Sequence, residues 1–155
     1  MKANKCIIIY DTVTGNTTKI AKAIAQVLKA KLVRCGKCRI KELGKCSLIG
    51  FGSGIYAMKH HKNLLKLVDK LPKTEKKAFV FSTAGSPALK FVWHIQLKQK
   101  LMNKGFEILG DFSCKGFDNF GPFKLVGGLN KGRPNANDIL KAKQFARMIK
   151  QRIRA

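Results

Sequence analysis

The 155-residue sequence predicts an α/β protein in which helices cover both faces of a parallel sheet. Short apolar runs alternate along the chain with longer segments whose apolar residues recur at the helical period. The first run, CIIIY at 6–10, contains no polar alternation, as expected for a strand covered on both faces. Strands that alternate with helices form parallel β-α-β units, and no linker or repeat divides the chain. We therefore expect one domain over residues 1–155.

Five strands are predicted from the short apolar runs. The continuous run CIIIY gives the first, and the short segment AKLVRC gives the second. SLIGFGS, AFVFST and FEILGDFSC give the other three. The predicted strands lie at 6–10, 30–35, 47–53, 78–83 and 106–114.

Four helices are predicted from apolar residues at the 3.6-residue period. Pro72 closes the second helix, the segment 103–105 ends the third, and Asn137 is a good N-cap for the last. A long Gly-rich stretch, 115–136, precedes that last helix. In chain order, the apolar stripes are Ile20, Ile24, Val27 and Leu28; Leu64, Leu65, Val68 and Leu71; Val92, Ile95 and Met102; and Ile139, Ala142, Ala146, Ile149 and Ile153.

The stretch DTVTGNTT at 11–18 joins the first strand to the first helix and indicates an anion site. A helix N-terminus offers backbone N–H groups and partial positive charge, and Gly15 lets the backbone come close to a ligand. The side chains that add donors are Thr12, Thr14, Asn16 and Thr17. No Lys or Arg lies between Thr12 and Thr18, which suits a phosphate monoester held by neutral donors. An ordinary capped helix explains the same residues, and a Walker A loop is absent.

The segment TVTGNTTKIAKAIA resembles the phosphate-binding loop of flavodoxins, in which T-G-N-T closely follows the first strand. The other two flavin loops of that family have counterparts at 50–61 and 81–93, so the resemblance covers essentially the whole chain. It implies a flavodoxin-like three-layer sandwich with five parallel strands in the order 2-1-3-4-5, flavodoxin itself being a type example of this order. It also implies FMN at the carboxyl ends of the strands.

The resemblance further implies which residues contact the flavin. Tyr56 is expected to cover one face of the ring, while Phe91 and Trp93 are the candidates for the other face. The predicted cofactor-binding residues are Thr12, Val13, Thr14, Gly15, Asn16, Thr17, Ser53, Gly54, Ile55, Tyr56, Thr83, Ala84, Gly85 and Ser86.

The cysteines and histidines predict neither a metal site nor a catalytic residue. Five cysteines in a domain of this size favour free thiols in a reducing compartment. Cys35 and Cys38 form a C-x-x-C without the second pair that a zinc ribbon needs, which favours a strand end and a turn. His60 and His61 are adjacent, and we expect both to be exposed at a helix entrance.

The charge is strongly positive, with 32 Lys and Arg against 8 Asp and Glu and a net charge of +24. The basic residues are spread along the chain without a nucleic-acid-binding motif, so we expect no specific nucleic acid partner. We expect acidic redox partners instead. No apolar run of about 18 residues or signal peptide is present, which predicts a cytoplasmic protein without membrane insertion, as a monomer or weak dimer.

Three functions are compatible with the sequence. The leading one is an FMN-binding electron carrier that shuttles electrons between redox partners. The second is an FMN oxidoreductase, because GSGIYAMKHHKNLLKLVDKL is similar to a segment of flavodoxin-like protoporphyrinogen oxidases; an NAD(P)H quinone reductase is a variant of this idea. The third is a flavin-free module that binds polyanions, which only the charge supports.

The charges beside the flavin loops also predict a redox property. Only Asp11 and Asp118 supply carboxylates there, whereas Lys59, Lys62 and Lys90 are close in sequence. Positive charge stabilises a reduced, anionic flavin. We therefore expect a second one-electron reduction potential that is less negative than in flavodoxins whose flavin is surrounded by carboxylates.

Overall fold

The computed structural model describes residues 5–116 and 131–154, and its elements follow the predicted alternation of strands and helices. The strands are β1 (Cys6–Asp11), β2 (Lys31–Arg34), β3 (Leu48–Tyr56), β4 (Lys59–His60), β5 (Lys77–Ala84) and β6 (Glu107–Lys115). The helices are α1 (Asn16–Leu28), α2 (Ile40–Leu43), α3 (Lys62–Asp69), α4 (Lys90–Trp93), α5 (Ile95–Asn103) and α6 (Ala136–Arg154). Most of the predicted irregular stretch 115–136, including Asp118, lies outside the described residues.

Five strands form a parallel sheet in the order β2-β1-β3-β5-β6, while the short strand β4 pairs with β3 alone. Leaving β4 out, this is the predicted order 2-1-3-4-5, which is thereby confirmed. The register pairs Asp11 with Ser53 and Gly54 with Thr83. The carboxyl ends of β1, β3 and β5 therefore meet at one edge of the sheet, where the three predicted flavin loops begin.

Helices cover both faces of the sheet and bury two apolar clusters. On one face, α1 and α6 pack over side chains such as Ile8, Phe79 and Phe81. On the other face, α3 and α5 pack over Ile49 and Phe51. The resulting sandwich has three layers, as predicted. None of the helices in residues 5–116 and 131–154 combines the length and the apolar character that a membrane span requires.

Two glycines of β3 make room for two aromatic rings of β5. A Cβ atom at Gly50 would collide with the ring of Phe79, and one at Gly52 would collide with the ring of Phe81. Both phenylalanines are fully buried, and their rings stack with centroids 6.2 Å apart. The missing side chains on β3 are therefore what allows these rings to fill the core on the face covered by α1 and α6.

The third predicted helix is divided into α4 and α5, and it buries a different face from the predicted one. The stripe of Val92, Ile95 and Met102 is wrong as a buried face, because Ile95 and Met102 are more than half exposed. The fully buried residues of α5 are Leu97 and Leu101. The buried face also includes His94, which lies between α4 and α5, is fully buried, and forms hydrogen bonds to polar side chains.

The last helix begins at Ala136, and its N-cap is Asn135, so the prediction of Asn137 is wrong. The Asp138 N–H donates to Asn135 Oδ1 at 3.0 Å, and the Asn135 N–H donates to Asp138 Oδ2 at 2.8 Å. This is a reciprocal capping box in which Asp takes the usual place of Glu. Arg133 donates to both carboxylate oxygens of Asp138, at 2.6 and 2.7 Å. The predicted inner stripe is confirmed by the complete burial of Ala142, Ala146 and Ile149.

Candidate functional site

A cavity of about 230 Å³ lies at the carboxyl ends of the central strands, where the three predicted loops meet. Its lining residues are Thr14, Asn16, Gly54, Ile55, Tyr56, Ala57, Thr83, Ala84, Gly85 and Gly116. Pockets for small molecules usually have volumes of roughly 300–1,000 Å³. The described residues therefore enclose only part of a ligand of flavin size.

Eight of the fourteen predicted binding residues line this cavity. These eight are Thr14, Asn16, Gly54, Ile55, Tyr56, Thr83, Ala84 and Gly85. The other six, which are absent from the lining, are Thr12, Val13, Gly15, Thr17, Ser53 and Ser86. Sequence reasoning missed Ala57 and Gly116. A signal for Gly116 existed, because it directly follows β6, whose carboxyl end reaches the same edge of a parallel sheet.

The first loop is held in shape by its own hydrogen bonds. The Gly15 N–H donates to Thr12 Oγ1 at 2.9 Å, and the Thr12 N–H donates to Asp11 Oδ1 at 2.9 Å. The Val13 N–H donates to the hydroxyl of Tyr56 at 3.2 Å, which ties the first loop to the second. Thr12 is buried and uses its hydroxyl inside the loop. Its role is therefore to fix the loop that presents the start of α1 to the cavity.

The first turn of α1 is held against the sheet by contacts with β5 and with the end of β6. Gly15 precedes the helix with φ of +87°, a left-handed conformation that glycine adopts readily. The hydroxyl of the fully buried Thr17 lies 2.9 Å from that of Thr83 on β5. A Cβ atom at Gly116 would lie 3.1 Å from Asn16 Nδ2, so the end of β6 also approaches the loop closely. These contacts set the position of the helix N-terminus at the cavity.

The second loop is a tight hairpin between β3 and β4. Its central residues, Ala57 and Met58, have φ of +50° and +67°, the left-handed pair that a two-residue type I′ turn requires. Glycine and asparagine are the usual residues in such turns, so Ala57 and Met58 carry backbone strain beside the cavity. Next to this turn, the rings of Tyr56 and His61 pack at right angles, with their centroids 5.4 Å apart.

The third loop carries the two aromatic candidates for the second ring face. Trp93 Nε1–H donates to the Ser86 carbonyl at 2.8 Å, so this indole supports the loop. Phe91 is 68 % exposed and does not pack into the core. Leu89, in the same loop, is exposed as well. The structure thus gives Trp93 a contact with the loop itself and leaves Phe91 at the surface.

Next to the cavity residues of β3 and β5, buried polar side chains are joined by hydrogen bonds. Ser53 Oγ lies 2.9 Å from His60 Nδ1, accepts from the His61 N–H at 2.9 Å, and lies 2.7 Å from the Gly54 carbonyl oxygen. His60 is only 2 % exposed, so the expectation of an exposed His60 is wrong. The reason is that β4 folds back on β3 and pairs His60 with Ile55. Within the described part of the chain, His60 Nε2 has no hydrogen-bond partner.

A second histidine continues this network towards β6. His94 Nδ1 lies 2.7 Å from Asp111 Oδ2, and His94 Nε2 lies 2.7 Å from Ser82 Oγ. The order Ser, His, Asp is that of a hydrolase triad. However, Ser82 and His94 are fully buried, and Ser82 Oγ also lies 2.8 Å from Ser113 Oγ. Ser82 is therefore not accessible to a substrate, and the three residues form an internal hydrogen-bond network.

Burial lowers the pKa of both imidazoles. The pKa of His60 lies well below its ordinary value, because burial and the nearby His94 ring, 5.1 Å away, disfavour a positive charge. Burial also lowers the pKa of His94, against the opposing effect of Asp111. Burial alone would raise the pKa of Asp111, but hydrogen bonds from His94 and Lys98 hold it below the usual range. Both histidines are therefore neutral at pH 7, and Asp111 is ionised.

The free energy of unfolding is expected to fall as the pH drops below about 6.5, the ordinary histidine pKa. The unfolded chain then binds protons that folded His60 and His94 resist, so the stabilisation present above that pH is lost as the pH falls through the folded pKa values. The slope approaches about 1.4 kcal/mol per pH unit for each histidine. Urea unfolding between about pH 7.5 and about pH 4.5 measures it. A flat profile in the wild type, or an equally steep one in His60→Asn, contradicts the assignment.

The predicted carboxylate of the first loop is neutralised by its neighbours. Asp11 lies 3.2 Å from Arg34 Nη2 and accepts from Asn63 Nδ2 at 3.2 Å. His61 Nδ1 is 3.8 Å from the same carboxylate. Burial alone would raise the pKa of Asp11, but these partners and the Thr12 N–H keep it below its ordinary value. Asp11 therefore brings little net negative charge to the cavity.

The cysteines are all free thiols. Burial raises the pKa of Cys6, Cys35 and Cys114 to about 12 and also raises that of Cys38. A protonated thiol is a poor metal ligand and a poor redox nucleophile. Within residues 5–116 and 131–154, no three His, Cys, Asp or Glu side chains come together as a metal site would need.

A larger cleft of about 950 Å³ lies at the opposite end of the sheet. Its walls include Lys5 and Lys31 at the starts of β1 and β2, and Lys150 and Arg154 at the end of α6. Ligands of open parallel α/β sheets bind outside the carboxyl ends of the strands. The smaller cavity, where the three loops converge, is therefore the candidate functional site.

Comparison with known proteins agrees with this geometry. A family model described as a flavodoxin domain matches residues 7–117. An uncharacterized protein of Methanocaldococcus jannaschii is 53% identical over 146 residues, which are 94% of this chain and 97% of that protein. A solved flavodoxin from the domain Archaea has a TM-score of 0.71 at 18% identity, covering 97% of this chain and 99% of its own. Flavodoxin 2 from Bacillus cereus has a TM-score of 0.71 at 19% identity, covering 95% and 98%.

Proposed function

The chain belongs to the flavodoxin domain family, and from this premise we propose that it binds FMN and carries electrons between redox partners. The observation that supports the proposal most directly is the meeting of three loops on one cavity at the carboxyl ends of the strands. In this sheet order, such an edge is the usual site of a bound nucleotide. A bound flavin supplies one-electron and two-electron transfer, chemistry that amino acid side chains do not provide at ordinary potentials.

The residues of the first loop fit a phosphate monoester. Thr14 and Asn16 line the cavity beside the N-terminus of α1, whose first-turn N–H groups lack acceptors within the helix. The helix dipole adds partial positive charge at the same point. The loop contains no Lys or Arg, so the donors are neutral and held in place by the Thr12 and Gly15 bond. The residues that would hold the flavin ring are those of the second and third loops, with Tyr56 as its aromatic contact.

The rim of the cavity fits an acidic partner protein with an apolar centre. Val13, Met58 and Phe91, one from each loop, are all more than half exposed. Lys59 and Lys62 are exposed beside them. Apolar residues surrounded by charges are typical of transient protein interfaces, and opposite charges steer the partners together. We expect electron transfer to an acidic partner to slow as the salt concentration rises.

The second one-electron potential of the bound flavin is expected to be less negative than in flavodoxins with acidic flavin sites. Asp11 is paired with Arg34, while Lys59 and Lys62 contribute positive charge at the second loop, and this field favours the reduced anion. A redox titration against reference dyes measures the potential. Added salt should move it to a more negative value. A very negative second potential at low salt contradicts the proposed role of these charges.

A direct test of the proposal is the cofactor itself. The protein is purified, its visible spectrum is recorded, and the released pigment is identified by chromatography against FMN, FAD and riboflavin standards. We expect a flavin spectrum and FMN, and tight rebinding of FMN by the apoprotein. Failure of the apoprotein to bind FMN overturns the proposal and favours a flavin-free module that binds polyanions. Oxidation of NAD(P)H or protoporphyrinogen by the holoprotein alone identifies an oxidoreductase in place of a carrier.

A further inference from the structure

We infer that His94 is a proton-uptake site coupled to reduction of the bound flavin, an inference that rests on the proposed function. For each electron pair delivered by an external donor, His94 Nε2 gains one proton from the solvent, beyond any proton that the flavin itself takes up. The proton balances part of the negative charge that the electrons bring into the cavity.

The histidine pair belongs to a hydrogen-bond network next to the cavity residues of β3 and β5. Ser53 and Ser82, the hydroxyl partners of His60 and His94, each precede a residue that lines the cavity, Gly54 or Thr83. Successive residues of a strand point to opposite faces of the sheet and are about 3.3 Å apart along it. The serines of the network are therefore adjacent in the chain to residues that line the cavity. Negative charge on the cavity side is felt by the imidazoles through a region that contains little water to screen it.

The network has room for one extra proton at His94. With neutral His94, the Ser82 hydroxyl donates to Nε2 at 2.7 Å, and the His94 Nδ1–H donates to Asp111 at 2.7 Å. When Nε2 gains a proton, it donates to Ser82 Oγ, and the Ser82 hydroxyl turns to donate to Ser113 Oγ at 2.8 Å. The bond to Asp111 stays as it is. Protonation thus needs two hydroxyls to rotate, because the Ser113 hydroxyl, which donates to Ser82 while His94 is neutral, turns away and accepts from Ser82. Ser113 is only half-buried.

His94 is favoured over His60 by its partners. His60 Nε2 has no acceptor in the described part of the chain, so a proton there would be left without a hydrogen bond. The two rings are 5.1 Å apart, which opposes protonation of both. The charged and titratable groups that face His94 are Asp111, Lys90, Lys98 and His60. Burial, with the ammonium groups of Lys98 and Lys90, lowers the pKa of His94 against the opposing effect of Asp111 and keeps the ring neutral. A negative charge in the cavity shifts this balance.

The test counts protons during reduction of the FMN-loaded protein. The pH dependence of the two-electron midpoint potential between about pH 6 and about pH 8 gives the number of protons bound per electron pair. We expect the wild type to bind one proton more than His94→Asn in this range. Nitrogen NMR of labelled histidines supplies a second readout, in which His94 Nε2 carries a proton in the reduced protein and not in the oxidised one. A conservative variant, Ser113→Ala, removes the acceptor for the rotated Ser82 hydroxyl. The additional proton should therefore bind to the reduced protein only at lower pH.

His61→Asn is the matched control. It removes the third imidazole, which faces Tyr56, and retains a side-chain acceptor for the Asn63 N–H at the start of α3. Its proton count should equal that of the wild type. Equal numbers of protons bound per electron pair in the wild type, His94→Asn and Ser113→Ala, with tightly bound FMN in all three, overturn this inference alone. A loss of proton uptake in His61→Asn also overturns it. Failure of the wild-type apoprotein to bind FMN rejects the proposed function as well. If His94→Asn does not fold, Ser113→Ala and the wild-type NMR spectra still decide the question.

Discussion

A Gly52→Ala variant is expected to lose about 3 kcal/mol of folding free energy, the upper end of the usual range for an overpacked core. A Cβ atom at position 52 would collide with the ring of Phe81, which is fully buried and stacked on Phe79. The ring has no empty space to enter, because protein interiors are close-packed. Chemical unfolding in urea, followed by circular dichroism, measures the loss.

Two further variants make this prediction specific. Gly36→Ala is the control, because a Cβ atom there has no neighbour within 4 Å and the φ angle is not in the left-handed region. Its free energy of unfolding should stay within about 0.5 kcal/mol of the wild type. In Gly52→Ala combined with Phe81→Leu, the smaller side chain relieves the collision, so the combined loss should be less than the sum of the single losses. Strict additivity would show that the collision is not the cause.

A Thr14→Ala and Asn16→Ala double variant is expected to bind FMN on the order of 100-fold more weakly or worse. Each side chain lines the cavity at the N-terminus of α1. A hydrogen bond to a charged group contributes about 1.5–3 kcal/mol, so the loss of two such bonds gives an effect of this size. Quenching of flavin fluorescence during titration of the apoprotein measures the affinity.

Riboflavin, which lacks the phosphate, separates a phosphate site from a general loss of structure. The wild type should bind FMN much more tightly than riboflavin, and the double variant should bind both with similar affinity. Thr18→Ala, one position after the last predicted binding residue of the first loop, removes a hydroxyl that does not line the cavity and should bind FMN as the wild type does. A double variant that still discriminates strongly between the two flavins places the phosphate elsewhere.

The fold was predictable because its signals are local and repeated. Continuous apolar runs such as CIIIY gave the buried strands, and stripes such as Ala142, Ala146 and Ile149 gave the inner face of the last helix. The sequence predicts Asn137 as the cap of that helix, whereas the structure has Asn135 in this role. Both positions carry asparagine, and what distinguishes them is Asp138, which returns a hydrogen bond to Asn135 three residues earlier.

Cavity residues were predictable in three short loops, each of which directly follows a strand. The loop sequence indicates Thr14 and Asn16 as cavity residues. It does not predict the hydrogen-bond network of the two buried histidines. His94 is buried because it meets Ser82, 12 residues away, and Asp111, 17 residues away on another strand. The spacing of apolar residues within one segment gives no information on partners so distant in the sequence. The apolar spacing alone predicts Ile95 and Met102 on the buried face of the third helix, whereas the fully buried residues are Leu97 and Leu101.

The protonated state of the thiols has a practical consequence for handling and labelling. With a pKa of about 12, Cys6, Cys35 and Cys114 are ionised at pH 8 in on the order of one molecule in ten thousand. The thiolate is the form that reacts with maleimides, alkylating reagents and oxidants. Cys6, Cys35 and Cys114 should therefore resist air oxidation. They should also stay unlabelled while a cysteine introduced at an exposed position accepts a fluorophore.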